Sequence, residues 1–153
     1  MSVTPYPAPS VVLPNETGEI IDLKDLRPNP IILFFYPRDN TSGCTREAKD
    51  FTENLRHFNN DKISVFGVSK DSVESHDRFI KKQNLATSLL SDKDGKVCEG
   101  FGVWKEKSMY GKTYMGIERS TFIIDGKGVI VKEWRKVKVA GHVNEVLELI
   151  KSV

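Results

Sequence analysis

The stretch IILFFY, residues 31–36, is an unbroken run of six apolar side chains. A strand with one face in water alternates apolar and polar residues; a run without alternation needs cover on both faces. The chain therefore has to build a sheet with layers packed above and below it. ISVFGVS, residues 63–69, is a second run of the same kind. Between the two lie Ala48, Phe51, Leu55 and Phe58, at the three- and four-residue spacings of a helix stripe.

The remaining segments continue the alternation. VVLPNETGEIIDL reads as two short strands around the turn PNETG, and LKDLRPNP as a loop with a single helical turn. Asp71 or Ser72 is placed to cap a helix whose stripe is Val73, His76, Asp77 and Ile80. ATSLLSD reads as a short strand, KVCEGFGVW as a short helix, and RSTFIID–GKG–VIVKEW as a hairpin. Val143, Val146, Leu147 and Ile150 mark a last helix. The order β-β-β-α-β-α-β-α-β-β-α predicts a central mixed sheet flanked by helices on both faces, with an N-terminal β-hairpin. Ligands of such sheets bind beyond the carboxyl ends of the strands.

A length of 153 residues suits one domain over 1–153, with residues 1–8 an extended arm. Hydrophobic content of 39% and charged content of 29% are those of an ordinary globular protein. A net charge of +2 gives no reason to expect nucleic acid or an acidic membrane as partner. KEWRKVKV, residues 132–139, is locally basic and reads as a solvated strand face. The N-terminus has neither the charged nor the long apolar region of a signal peptide. No segment approaches the roughly 18 apolar residues of a membrane span. A cytoplasmic location is the expectation, where thiols stay reduced. Two cysteines 54 residues apart make no disulfide framework, and with three scattered histidines they make no zinc site. No histidine has a sequence neighbour suggesting base catalysis; His142, at the start of the last helix, is placed to cap it.

One of the two cysteines stands at a telling junction. PRDNTSGC, residues 37–44, leaves the end of the most apolar strand and enters the helix with Cys44 in its first turn, in phase with Ala48 and Phe51. First-turn N–H groups have no partner within the helix, and the macrodipole puts partial positive charge there, so a thiolate is favoured. Thr41 can accept one hydrogen bond and donate another to that thiolate. Pro37 fixes φ and shields the strand end, and Gly43 admits a close approach of a small ligand. The same pattern also fits packing: buried cysteines are common in cores, and Thr and Ser before a helix are common caps. Local pattern alone leaves both readings open.

YPRDNTSGCTREA resembles the active-site stretch P-x-x-x-T-x-x-C of the peroxiredoxins, with Pro37, Thr41 and Cys44 on its three fixed positions. TREA is similar to the T-x-E-A of the peroxiredoxin Q or bacterioferritin comigratory protein type. SVFGVSKDS, LLSDKDGKVCEGFGVW, MYGKTYMGIERSTFIID and the DGKG turn resemble this subgroup in the same order. The resemblance implies a thioredoxin-like fold. It implies reduction of hydrogen peroxide and organic hydroperoxides through a cysteine sulfenic acid, with no metal or organic cofactor. A thioredoxin-type or small-thiol reductant and a monomeric state are implied as well. Arg119, in GIERSTF, matches the arginine that reaches the family's active site from a strand; read by itself it would be a solvated strand-end residue. A guanidinium there could serve thiolate and peroxide together, since its fork carries five N–H donors. Glu47, in the first helical turn, suits the dipole and can orient an arginine.

The chain departs from the subgroup in how the sulfenic acid would be resolved. The position five residues after Cys44 is Lys49, and FIKKQNLA in the next helix has no cysteine. Cys98 is the one candidate left, and its neighbours Val97 and Phe101 suit packing in a core. Two other readings stand beside the peroxidase. One is a thiol–disulfide oxidoreductase, against which the missing CxxC counts. The other is a redox-sensing or chaperone-like protein whose thiol only reports oxidation.

Overall fold

A computed structural model of the protein describes residues 5–60 and 62–151. In chain order the elements are β1 (Tyr6–Pro7), β2 (Val12–Pro14), β3 (Ile20–Asp22), a 3-10 turn (Leu23–Leu26), β4 (Ile31–Phe35), α1 (Ser42–Asn60), β5 (Ser64–Ser69), α2 (Val73–Gln83), β6 (Ser88–Ser91), α3 (Lys96–Gly100), β7 (Trp104–Met109), β8 (Lys112–Ile117), β9 (Ser120–Ile124), β10 (Val129–Trp134) and α4 (His142–Lys151). The main sheet has the order β1-β10-β9-β4-β5-β6. β4, β5 and β6 are parallel, whereas β9, β10 and β1 run antiparallel to their neighbours. The sheet is mixed, as the sequence predicts.

All five residues of β4 are buried, and they alternate between two cores. Ile31, Leu33 and Phe35 join Val11, Leu13 and Leu23 of the N-terminal hairpin and turn region, with Cys98 and Phe101 at α3. Ile32, Phe34 and Tyr36 join Cys44, Ala48, Phe51 and Phe58 of α1, Phe79 of α2, and Val143, Val146 and Ile150 of α4. Each fully buried phenylalanine contributes about 1.5–3 kcal/mol. Phe34 stacks on Phe51 with centroids 4.5 Å apart, which seats α1 on β4. Gly67 on β5 makes room for that ring: a Cβ there would lie 2.7 Å from Phe34 Cζ. Through this contact the site helix inherits the position of the central strand.

Ser72 caps α2 as expected, its hydroxyl accepting the Ser75 N–H at 3.1 Å. The buried face of that helix differs from the expected stripe. Phe79 and His76 are buried, while Val73, Asp77 and Ile80 are only half-buried. The large ring takes the place nearest the sheet.

Two further elements depart from the predicted order. Within the expected arm, Tyr6 and Pro7 pair with Ile130 and Val129 as the sheet's edge strand, where proline costs no ladder bond; residues 1–4 lie outside the described residues. The single helical turn expected in LKDLRPNP is present, as a turn of 3-10 helix at Leu23–Leu26 capped by Asp22. The hairpin β7–β8 is absent from the sequence reading, because WKEKSM and KTYMGI have too few buried positions to show a period. Its turn does carry a signal. Tyr110 and Gly111 have φ of 53° and 78°, both positive, the pattern of a two-residue I′ turn.

Candidate active site

β4 ends at Phe35, and Tyr36 and the loop 37–41 lead into α1. Thr41 closes the entry, its carbonyl accepting the Thr45 N–H at 2.9 Å. Cys44 is the third residue of the helix and faces the sheet, only 1% exposed. Arg119 stands in the two-residue link between β8 and β9, so it comes from a strand junction rather than from within a strand. Its carbonyl accepts the Val137 N–H at 2.9 Å, which fixes the link from the other side.

The Arg119 guanidinium divides its fork between two groups of α1. Nη2 donates to Cys44 Sγ at 3.2 Å, and Nη1 donates to Glu47 Oε1 at 2.7 Å. Gly43 makes this approach possible, since a Cβ there would sit 3.2 Å from Nη2. The close neighbour that the sequence reading assigned to a small ligand is therefore the arginine. Glu47 is fully buried, and its Oε2 has no hydrogen-bond partner. That burial outweighs the attraction of Arg119 and raises the Glu47 carboxyl to about 7. The carboxylate and the nearby sulfur in turn hold Arg119 above its ordinary value, against the pull of its own desolvation, so it stays charged.

Thr41 does not make the bond expected of it. Its hydroxyl donates to the Arg38 carbonyl at 3.3 Å rather than to the Cys44 sulfur. Thr41 and Pro37 instead stand in the wall of a cavity of about 620 Å³ at the loop that leads to Cys44, which is not itself in the wall. Pro37 is exposed there, so it shapes a mouth rather than sealing the strand end. The β7–β8 hairpin supplies much of the opposite wall, including Trp104, Lys107, Met115 and Ile117. A smaller cavity of about 130 Å³ lies near Ala8, Arg27 and Gly128 and holds none of these residues.

Cys98 does not join the site. It is fully buried in the core on the other face of the sheet, and its N–H donates to Asp92 Oδ2 at 2.7 Å. Burial, with the Asp92 carboxylate beside it, pushes this thiol far up.

Two histidines passed over in the sequence turn out to be organised. His142 is buried at the start of α4, with Nε2 2.7 Å from Thr121 Oγ1. Desolvation lowers it to about 4, with Arg119 adding to the effect, so it is neutral and bonded to a neighbouring strand rather than capping its helix. His76 is fully buried, with Nδ1 2.8 Å from Asp39 Oδ2 and Nε2 3.0 Å from the Leu90 carbonyl. Asp39 also accepts from the Tyr36 hydroxyl at 2.6 Å and the Ser75 hydroxyl at 2.8 Å. Burial works against its charge, but the bonds from His76, Tyr36 and Ser75 prevail and hold its carboxyl below the usual range. Asp39, Asp71 and His76 are the one group among the described residues with donor atoms close enough for a metal ion. These atoms already bond one another, Ser69, Ser75 and the backbone, so the cluster ties the loop 37–41 to α2.

The chain matches the model of the AhpC/TSA family over residues 5–133. It is 50% identical over 140 residues to a putative peroxiredoxin bcp of Coxiella burnetii, covering 92% of this chain and 93% of that one. It is 48% identical over 146 residues to the peroxiredoxin Bcp of Bacillus subtilis, covering 95% and 93%. Among solved structures it is similar to a cysteine-to-serine mutant of Xylella fastidiosa PrxQ, at a TM-score of 0.91 and 39% identity over 99% of this chain and 98% of that one. It is also similar to the bacterioferritin comigratory protein of Xanthomonas campestris, known for alkyl peroxide reduction, at a TM-score of 0.88 and 44% identity over 93% and 90%. With a thioredoxin-like mixed sheet and a cysteine, a glutamate and an arginine joined at the start of α1, the chain belongs to the AhpC/TSA family and, within it, to the Bcp-type peroxiredoxins, which are thiol-dependent peroxidases.

Proposed function

We propose that Cys44 is the nucleophile of a peroxidase that takes hydrogen peroxide and organic hydroperoxides, and that Arg119 is the group that activates both partners. The observation that carries this is the single guanidinium bonded to Cys44 Sγ at 3.2 Å and to Glu47 at 2.7 Å. The thiolate attacks one peroxide oxygen, the O–O bond breaks, and that oxygen stays on sulfur as a sulfenic acid. The other oxygen leaves with the developing negative charge and takes a proton to become water or an alcohol. A fixed guanidinium aimed at that oxygen stabilises the transition state more than the ground state. Thr41 rotates its hydroxyl from the Arg38 carbonyl onto the bound peroxide, and Pro37 shapes the entrance. A thiol reductant returns Cys44 to its starting state, and Cys98 serves only in packing. A cytoplasmic, monomeric protein completes the reading, in keeping with two free cysteines.

The test is Cys44→Ser, which is nearly isosteric but not ionised at neutral pH. Peroxide consumption by the purified variant should vanish while its circular dichroism and melting curve match the parent. Peroxide consumption at the parent rate would sink the assignment. Disulfide reduction without peroxide use would select the oxidoreductase reading instead.

A further inference from the structure

We propose that the cavity at the loop that leads to Cys44 binds a low-molecular-weight thiol carrying carboxylates, and that this anionic thiol is the reductant of oxidised Cys44; the proposal rests on the peroxidase reading above. The cavity, about 620 Å³, is lined by three cations, Arg38, Lys70 and Lys107, and by one carboxylate, Asp71. Asp71 is already engaged, its Oδ2 accepting from the Asp39 N–H at 2.8 Å and the Ser69 hydroxyl at 2.7 Å. The free charge facing the space is therefore positive.

Lys107 reaches the cavity wall from β7. Its stem lies across Gly116, where a Cβ would come within 3.2 Å of Lys107 Cδ. Its ammonium is partly desolvated, and Arg119, Cys44 and the Glu118 carboxylate all act on it. Lys70 lies 4.2 Å from the centroid of the Trp104 ring, which steadies the adjacent wall. Hydrogen peroxide is neutral and gains little from such a lining. A thiol with carboxylates gains attraction, and the same field favours its thiolate.

Size points the same way. Cys44 is 1% exposed and is not itself in the cavity wall, so any thiol reaches it only when the start of α1 moves, and a small thiol needs the smaller movement. The chain's other cysteine lies in the opposite core. One thiol, RSH, condenses with the Cys44 sulfenic acid to give Cys44–S–S–R and water. A second RSH attacks the sulfur of R in that bond, releasing RSSR and leaving Cys44 reduced. Two thiols are oxidised for each sulfenic acid reduced, and the electrons balance.

The same cations could serve a carboxylate on an organic hydroperoxide, since the shared chemistry is carboxylate recognition. The experiment separates the two. The full chain is oxidised with one equivalent of hydrogen peroxide, which has no carboxylate, and sulfenic acid formation is measured first. Reduction is then followed by stopped flow with glutathione, which is anionic, and with cysteamine, which is cationic, at equal thiolate concentration. Glutathione should be faster by about ten-fold or more, and Lys107→Glu and Arg38→Glu should each collapse that ratio. In a third arm, oxidation by a carboxylate-bearing hydroperoxide is compared with oxidation by tert-butyl hydroperoxide in the same variants. If charge reversal slows only the carboxylate-bearing peroxide and leaves the thiol ratio intact, the cations belong to the substrate and the proposal falls. It also falls if the two thiols are equal, or if thioredoxin reduces the protein and glutathione does not. A chain that forms no sulfenic acid overturns the peroxidase reading and takes this one with it.

Discussion

Cys44 and Cys98 lie on opposite faces of the same sheet, Cys44 in the core beneath α1 and Cys98 in the core beneath the N-terminal hairpin. A disulfide needs the two Cα atoms within about 7 Å, and here β4 stands between the two cores. Cys98 is also fixed by its N–H bond to Asp92 and kept as a thiol by burial. Treating the reduced protein with one equivalent of peroxide should therefore leave a sulfenic acid on Cys44 that a dimedone-type probe captures and that persists until thiol is added. Cys98→Ala should behave like the parent. Rapid loss of the label with formation of a Cys44–Cys98 disulfide would make Cys98 the resolving cysteine after all.

Arg119→Lys keeps the charge but loses the fork. A single ammonium cannot span Cys44 Sγ and Glu47 Oε1 as the two guanidinium nitrogens do. The second-order rate of Cys44 oxidation should fall in Arg119→Lys and by roughly a hundred- to a thousand-fold in Arg119→Met, the scale seen when a transition-state donor is lost. Parent rates in either variant would return Arg119 to a structural role.

The parts of this site that could be read in the sequence are those whose physics is local. The run at 31–36 fixes the central strand, because no other placement buries Ile32, Phe34 and Leu33 together. Cys44 in phase with Ala48 and Phe51 places the sulfur at the start of a buried helical face. What stayed hidden depends on partners far along the chain. His76 looked like a misfit in an apolar stripe, and only the fold brings Asp39 to it from 37 residues away. Thr41 was assigned to the sulfur, whereas the loop's own curvature hands its hydroxyl to Arg38. Lys107 was missed with its hairpin, whose exposed strands carry almost no apolar period.

Glu47 and His142 impose opposite pH dependences on stability over overlapping ranges. Glu47 is raised from 4.5 to about 7, so between those values the native state holds a proton that the unfolded state has lost, and stability falls as pH rises. His142 is lowered from 6.5 to about 4, so between those values the unfolded state holds the extra proton, and stability rises with pH. The two slopes largely cancel between about 4.5 and about 6.5 in the parent. Glu47→Gln should expose the rising limb, with stability lost as pH falls through that window. His142→Gln should expose the falling limb, with stability lost as pH rises toward about 7. Urea titrations at half-unit pH steps check both, and a variant whose slope matches the parent would show that its group does not titrate as the geometry requires.

His76 and Asp39 form a buried, hydrogen-bonded pair. Both ring nitrogens of His76 face acceptors, Nδ1 the Asp39 carboxylate at 2.8 Å and Nε2 the Leu90 carbonyl at 3.0 Å. The pair is enclosed at 0% and 2% side-chain exposure. Removing one partner leaves buried polar atoms of the other unsatisfied, at a cost of about 1–3 kcal/mol. His76→Leu and Asp39→Asn should each lose that much in denaturant unfolding, and the double variant should lose clearly less than the sum of the two. Because Asp39 lies in the middle of the loop joining β4 to α1, the single variants should also expose Cys44 to alkylation before global unfolding. Additive losses in the cycle, with Cys44 as protected as in the parent, would show that the pair is uncoupled and does not hold the loop.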